Sequence, residues 1–347
     1  MTAVKNLPVS STKGLSEAEA PVVTLLGTDL PEAYLDDAEP SPLMEKANQL
    51  WRRFKRLMLL AIIVGAATFY PMSILSGHHI DDREIFPSDT LGWESTEIGT
   101  MLTLLGRELT GAGWTGDRPD WHPQARLTAL PAWQSGLAGA LSDYSAVLAS
   151  RAPDSSGRPD ADLSAASRLL SLAEGTSDSL PSLSAAAEAL QRYDGRLARN
   201  LAPEINSVGD LDARLIELTD WANNSLTALR QSANTAQGWP ASTSDIEAIY
   251  HARARAHVAG ELLKAAPQIS AGQLSALAMS NYDDALFAWR RAALFSPLII
   301  MSQARTDLIL SDHPGTMAFY MSEAATATEA LRLSLRNQEM RSADLSK

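Results

Sequence analysis

Residues 207–229 read SVGDLDARLIELTDWANNSLTAL and are the clearest indication of the fold class of this chain. Its apolar residues follow one another at intervals of three and four, the spacing that places them on one face of an α-helix. Ser207 and Asp210 have the spacing of a helix-capping box. The stripe consists of Leu211, Leu215, Leu218, Ala222, Leu226 and Leu229. An amphipathic helix with a defined start is therefore predicted here.

The same periodicity recurs along the chain, and the one strand-like run is the short stretch of residues 298–301. Further helices are predicted near 95–110, 131–150, 163–174, 181–201, 244–266 and 273–295, with a last helix after Pro314-Gly315. Ser244 and Glu247 form a second predicted capping box. The fold class expected is mainly α, with an antiparallel bundle of six to eight helices after an N-terminal transmembrane helix.

The transmembrane helix is expected over residues 57–75, which contain no charged residue. A helix of that length spans roughly 30 Å, the thickness of the hydrocarbon layer of a bilayer. The basic residues that precede it are Lys46, Arg52, Arg53, Lys55 and Arg56. Arg83 is the one basic residue between the span and residue 97. The positive-inside rule then puts the N-terminus in the cytoplasm and the C-terminal part in the periplasm, with the anchor in a bacterial inner membrane.

Three regions follow from this prediction: a disordered cytoplasmic tail over 1–41, a membrane-anchor helix over 42–76, and an extracytoplasmic helical domain over 77–347. A buried helix of a soluble protein and a cleaved signal peptide are the alternatives. A signal peptide is shorter and N-terminal, so an uncleaved signal anchor is favoured.

Composition excludes several classes of site. The chain has no cysteine, so it can form no disulfide, zinc-thiolate site or cysteine nucleophile. Its formal net charge of −12 disfavours nucleic acid as a partner. No Walker loop, G-x-S-x-G elbow, H-E-x-x-H or dinucleotide motif is present. We accordingly predict no catalytic residue, cofactor or metal site.

A candidate interaction groove comes from the irregular stretch 111–133, where tryptophans stand beside carboxylates. Such residues can line a carbohydrate or peptide groove. The groove is predicted to comprise Trp114, Asp117, Trp121, Trp133 and His313. The simpler interpretation is a long loop held on the bundle by buried indoles, with Asp117 capping a turn and His313 in a helix-capping loop.

Two other polar groups have a functional and a structural interpretation. His78-His79 with Asp81, Asp82 and Glu84 could bind a metal ion, although an exposed linker after the membrane is favoured. Arg253, His257 and Glu261 recur every four residues and could form a polar relay. An exposed stripe of i,i+4 pairs is the favoured interpretation of that row.

Several motifs occur in a familiar order: Gly113-Trp114 and Asp117, then Leu130-Pro131-Ala132-Trp133-Gln134-Ser135-Gly136, then Ile249-Tyr250-His251-Ala252-Arg253, and finally Ser296-Pro297 and residues 308–314. Together they resemble the bacterial membrane proteins of domain-of-unknown-function family 2333. Thr128-Ala129 and His251 depart from the family pattern. The resemblance implies one N-terminal membrane helix and a helical remainder, and it implies no mechanism.

The function expected from these features is a protein-interaction or scaffold role in the cell envelope. The partners expected are the lipid bilayer, through residues 57–75, and another envelope protein or a second copy of the chain. Two alternatives stay open: a sensory input module that acts through a partner, and an envelope hydrolase acting on cell-wall material.

Overall fold

The computed structural model describes residues 42–77, 80–111, 113–119, 122, 124, 127–173, 179–235, 241–266, 274–297, 300 and 312–345. Over these residues the chain is mainly helical, with nine α-helices and no β-strand. The predicted mainly helical bundle is confirmed. The predicted disordered tail over 1–41 lies outside the described residues. The chain divides into two units, Met1–Ile63 and Val64–Lys347.

Helix α1 runs over Pro42–Gly77 and includes the predicted membrane span. The large apolar side chains at positions 57–60, 62 and 63 are between 55% and 64% exposed. Of the described part of the chain, no helix has the length and apolarity needed to cross a membrane. The side chains at 66 and 69–75 lie outside the described residues, and the span over 57–75 stays a prediction.

Eight further helices are described after α1: α2 Thr96–Thr110, α3 Ala129–Arg151, α4 Ala161–Ala173, α5 Leu180–Leu197, α6 Val208–Thr235, α7 Thr243–Ala265, α8 Ala276–Ala293 and α9 His313–Leu345. Helix α7 packs against α2, α3, α6, α8 and α9 and so occupies the middle of the bundle. Consecutive helices pack in pairs from α3 to α5 and from α6 to α9, as short connections favour in bundles.

The apolar stripe of α6 faces the core as predicted. Leu211, Leu215, Leu218, Ala222, Leu226 and Leu229 are each at most 7% exposed. Three buried tryptophans complete this core: Trp133 on α3, Trp221 on α6 and Trp289 on α8. Burying such large side chains supplies much of the hydrophobic stabilisation of a domain.

Helices α3 and α7 approach each other closely at Gly136. A Cβ atom added to Gly136 would lie 2.8 Å from the carbonyl oxygen of His251 and 3.0 Å from the Cβ of Ala254. Both neighbours belong to α7, and one is backbone. The absence of a side chain at Gly136 is therefore what lets the two helices pack at this distance.

The two capping predictions had different outcomes. Ser207 N donates to Asp210 Oδ2 at 2.9 Å and Asp210 N donates to Ser207 Oγ at 3.1 Å, which confirms the first box. The second prediction, Ser244 with Glu247, is wrong. Helix α7 is capped two residues earlier by Ser242 and Asp245, and the same Asp245 carboxylate accepts a hydrogen bond from Ser232 of α6.

Candidate functional site

The two described tryptophans of the predicted groove are buried. Trp114 is 4% exposed and Trp133 is 0% exposed. The Trp133 indole donates from Nε1 to Glu108 Oε1 of α2 at 2.9 Å. Both indoles belong to the core of the domain, where they are not open to a ligand from solvent. Trp121 lies outside the described residues.

Gln134 lies on α3 and holds the loop that contains Gly113 and Thr115 through hydrogen bonds. Its side-chain oxygen accepts from Thr115 N at 2.9 Å and from Thr115 Oγ1 at 2.7 Å. Its amide donates to Glu108 Oε2 at 2.8 Å and to the Gly113 carbonyl at 2.9 Å. Burial raises the pKa of Glu108, against the effect of these hydrogen bonds. Glu108 and Gln134 thus hold the Trp114 loop in place.

Asp117 caps a helix that begins more than sixty residues later in the chain. Its carboxylate accepts from Ser179 N at 2.6 Å and from Leu180 N at 2.7 Å. These two residues open α5, and Pro181 follows at a first-turn position. The amides at a helix start lack partners within the helix, and the helix dipole favours a negative charge there. Asp117 therefore supplies the cap that Ser179, through its own side chain, does not.

His313 is the first residue of α9 and lines a surface hollow. The hollow has a volume of about 620 Å³ and its wall includes Phe287, Arg290, Arg291, Leu294, Phe295, His313 and Tyr320. The imidazole centroid lies 5.9 Å from that of Phe295, and burial lowers the pKa of His313. The structure thus brings Trp133 and the Trp114–Asp117 loop together and places His313 at the α8–α9 hollow. The five-residue groove stays a prediction.

The segment 80–86, here called the strap, lies along α7. Asp82 forms an ion pair with Arg253, whose side chain is 4% exposed. Arg253 also donates from Nε to the carbonyl of Ala293 at 3.0 Å. One buried guanidinium therefore joins the strap to the C-terminal end of α8.

The C-terminal half of the strap has a second set of contacts with α7. Ile85 N donates to Glu261 Oε2 at 3.1 Å, and Lys264 Nζ lies 2.8 Å from Glu84 Oε1. Glu84 also pairs with Arg290 of α8. Burial raises the pKa of Glu261 and the Lys264 charge lowers it. Charge pairs and a main-chain hydrogen bond thus fix the strap at both ends.

His257 lies on α7 between Arg253 and Glu261 and is 5% exposed. Its ring centroid is 5.5 Å from that of Trp133, and its Nε2 has no hydrogen-bond partner among the described residues. Burial lowers the pKa of His257 from 6.5 to about 4, so the imidazole is neutral at pH 7. The favoured interpretation of an exposed stripe is wrong for this row, because the strap covers it.

Another buried polar group, which the sequence pattern did not indicate, joins α2, α3 and α6. Arg214 Nη2 donates to Glu97 Oε2 at 2.8 Å and to the Ile205 carbonyl at 2.7 Å. Tyr144 donates to the other oxygen of Glu97. Burial raises the pKa of Glu97, and the charge of Arg214 opposes that rise. Glu97 and Ile205 also border a cavity of about 180 Å³.

The chemistry of these residues is that of structural hydrogen bonds. Asp117 accepts from main-chain amides, Glu108 from an indole and an amide, and Glu261 from a main-chain amide. Within the described ranges no group of three or more His, Asp or Glu residues is placed to hold a metal ion. His78 and His79 of the metal hypothesis lie outside those ranges.

Comparison with known proteins adds no relative. No family model, no curated protein and no solved structure matches the chain. The resemblance to family 2333 rests on the motifs quoted above.

Proposed function

We propose that this chain is a single-pass protein of a bacterial inner membrane whose helical domain is an interaction or scaffold module in the periplasm. The observation that carries the proposal is the strap. It follows the predicted membrane span directly in sequence, and buried contacts fasten it to the central helix of the domain.

The membrane part of the proposal is supported by the character of α1. Six large apolar side chains between Leu57 and Ile63 are more than half exposed. Because they are nearly consecutive, they cover every side of the helix rather than one face. A helix that is apolar all round requires an apolar environment, and a bilayer provides one. The basic cluster before it supports a cytoplasmic N-terminus.

The scaffold part is supported by the way the strap is held. A flexible linker would let the domain rotate freely about its anchor. Asp82, Glu84 and Ile85 instead contact three residues of α7, Arg253, Lys264 and Glu261. The strap is therefore part of the folded domain rather than a free linker, which suits a module that assembles with other proteins.

The hydrogen bonds that the acidic residues accept support a non-enzymatic role over the hydrolase alternative. A glycoside hydrolase needs two carboxyls that face a substrate cleft. The buried carboxyls of Glu97 and Glu108 instead face other helices and accept hydrogen bonds from Tyr144 and Trp133. The Asp117 carboxylate is occupied by the start of α5.

A sensory role is the second candidate, and the position of the strap favours it. Helix α7 contacts five other helices of the domain. A ligand that repacked the bundle would therefore shift Arg253 and Glu261, and with them the strap and the chain leading into α1. The tail over 1–41 would then have to act on a cytoplasmic partner.

The topology is testable because the chain contains no cysteine. Single cysteines would be introduced as Ser16→Cys in the tail and Ser88→Cys at an exposed position after the strap. A membrane-impermeant maleimide should label the second variant in cells with a permeabilised outer membrane, and the first only after lysis. The opposite labelling pattern, or release of the chain by alkaline carbonate, would contradict the proposal.

The scaffold and sensory roles are separated by two further measurements. Crosslinking in cells followed by detergent purification should recover a defined partner or a homo-oligomer if the domain is a scaffold. Deleting residues 2–40 should leave that complex intact. Loss of the cellular phenotype on this deletion, with the complex retained, would favour the sensory role instead.

A further inference from the structure

Helix α8 has a second apolar face that the bundle does not cover. Ala285, Trp289 and Ala292 form its core face and are fully buried. On another side, Phe287 and Leu294 are each 67% exposed. Isolated exposed apolar residues are common on protein surfaces, but two at an i,i+7 spacing lie on the same side of a helix.

Two arginines lie between these apolar residues on the same side. The side chain of Arg290 is 55% exposed and that of Arg291 is 45% exposed. The four residues Phe287, Arg290, Arg291 and Leu294 have the spacing i, i+3, i+4 and i+7 that defines a single helix face. We call this face the α8 patch. Its combination of aromatic, aliphatic and guanidinium groups is typical of segments at a membrane interface.

The hollow beside the α8 patch is also lined by aromatic and other apolar residues. Its wall adds Phe295, Pro297 and Tyr320 to the residues of the patch. The guanidinium of Arg291 lies 4.7 Å from the centroid of the Tyr320 ring. An acyl chain or glycerol backbone fits such a surface. Arg290 pairs with Glu84 and Arg291 with Glu323, and the remaining N–H groups of the two half-exposed guanidinium groups can donate to a lipid phosphate.

The strap connects the patch to the predicted membrane span through a short length of chain. Arg253 bonds both Asp82 and the Ala293 carbonyl, and Ala293 directly precedes Leu294. Glu84 pairs with Arg290 of the patch itself. Asp82 is five residues after Gly77, so the chain between them can span at most roughly 18 Å.

We infer that the α8 patch rests on the surface of the bilayer that α1 crosses, with Phe287 and Leu294 in the headgroup region and the arginines on lipid phosphates. This inference depends on the proposed membrane anchor. The net charge of −12 makes the rest of the surface repel anionic lipid. The patch therefore selects one orientation of the domain, in which α8 faces the membrane.

The test uses the full chain in lipid nanodiscs that hold one copy each, so that neither a partner nor a second copy can cover the patch. Single cysteines are introduced as Leu294→Cys in the patch, Ile63→Cys in the anchor and Leu172→Cys on α4, which is 56% exposed. Each is labelled with nitrobenzoxadiazole. Emission is then compared with and without doxyl-labelled phosphatidylcholine.

We expect the labels at positions 294 and 63 to lose about half of their emission or more, because both lie within the bilayer or its headgroup layer. The label at position 172 should lose little. Adding Phe287→Asp to Leu294→Cys should reduce the loss at 294 to that at 172, whereas Leu172→Asp should not change it. Replacing part of the phosphatidylcholine with phosphatidylglycerol should increase quenching at 294.

Two results would overturn the inference, and each would exclude a different part of it. Quenching at 63 without quenching at 294 would leave the anchor in place and show that the patch does not lie on the bilayer. Absence of quenching at 63 would refute the membrane anchor itself, and the inference would fall with it.

Discussion

Asp82 of the strap forms an ion pair with Arg253 of α7, a residue whose side chain is only 4% exposed. The Arg253 guanidinium is too deeply buried to be solvated by water. The ion pair with the Asp82 carboxylate is therefore the main interaction that offsets the cost of burying its charge. The pair also links two parts of the chain that are 171 residues apart in sequence. Its strength decides how firmly the strap is attached.

Asp82→Ala should destabilise the domain by about 3 kcal/mol, because it leaves a buried guanidinium without its charge partner. Urea unfolding of the full chain in detergent, followed by tryptophan fluorescence, measures this loss. The neighbouring substitution Asp81→Ala is the matched control. Its partner Arg83 is 76% exposed, so the loss there should stay below about 1 kcal/mol. Equal losses would show that Arg253 does not depend on Asp82.

Gly136→Ala should destabilise the domain by about 1–3 kcal/mol through overpacking of α3 against α7. The added methyl group would stand 2.8 Å from the main-chain oxygen of His251, which cannot move aside as a flexible side chain can. Gly106→Ala in α2 is the control, because a Cβ there meets nothing within 4 Å. That variant should gain about 0.5–1 kcal/mol from helix propensity. A stable Gly136→Ala protein would contradict the close approach.

The stability of the domain should depend on pH through His257. Burial lowers its pKa from 6.5 to about 4, and the charged groups nearby are Asp82, Arg107, Arg253 and Asp81. As the pH falls, the unfolded chain binds a proton at His257 before the folded protein does. The stabilising contribution of the neutral imidazole is therefore complete above pH 6.5. It is lost as pH falls toward 4, by at most about 3 kcal/mol.

Comparison with His257→Gln isolates this contribution. The buried carboxyls Glu97, Glu108 and Glu261 have raised pKa values and impose the opposite slope as pH rises above their ordinary range. Since both proteins contain these carboxyls, they cancel in the difference. The free energy of unfolding of the original protein, minus that of the variant, should decrease between pH 6.5 and 4. A difference that stays constant would show that His257 does not titrate in this range.

Asp117→Ala should cost about 1–2 kcal/mol, the range for removing a helix cap. Asp117→Asn should cost less, because one side-chain oxygen can still accept from Ser179 or Leu180. Thermal unfolding monitored by circular dichroism gives both values. Asp283→Ala, at an exposed position on α8, should leave the melting temperature unchanged. An Asp117→Ala protein as stable as the original would return this residue to the predicted groove.

Local patterns predicted the helices well, because each signal lies within the helix that it describes. The leucine stripe of α6 and the Ser207–Asp210 box are both interactions between residues at most four apart. The box of α7 was misplaced because Ser242, Thr243 and Ser244 are all acceptable caps. The choice depends on Asp245, which also bonds Ser232 on the neighbouring helix.

The features that could not be predicted from the sequence depend on contacts between segments that are far apart in the chain. Arg253, His257 and Glu261 have the spacing of an exposed stripe, and nothing within α7 indicates that residues 82–85 cover them. Glu97 follows other acidic residues after the span, yet it is buried beside Arg214, 117 residues later. The role of Asp117 at the start of α5 likewise depends on a partner 62 residues away. No single-sequence pattern indicates such pairs.

The direction of the strap has a mechanical consequence. It runs in the same direction as α7, because Asp82 meets Arg253 whereas Glu84 and Ile85 meet Lys264 and Glu261 farther along that helix. A pulling force applied to the chain before Ile80 and directed along the axis of α7 would therefore load all of these attachments together, in shear. The same force directed away from α7 would break them one at a time, starting at Asp82. Tension on this protein should accordingly be resisted in one direction and released in another.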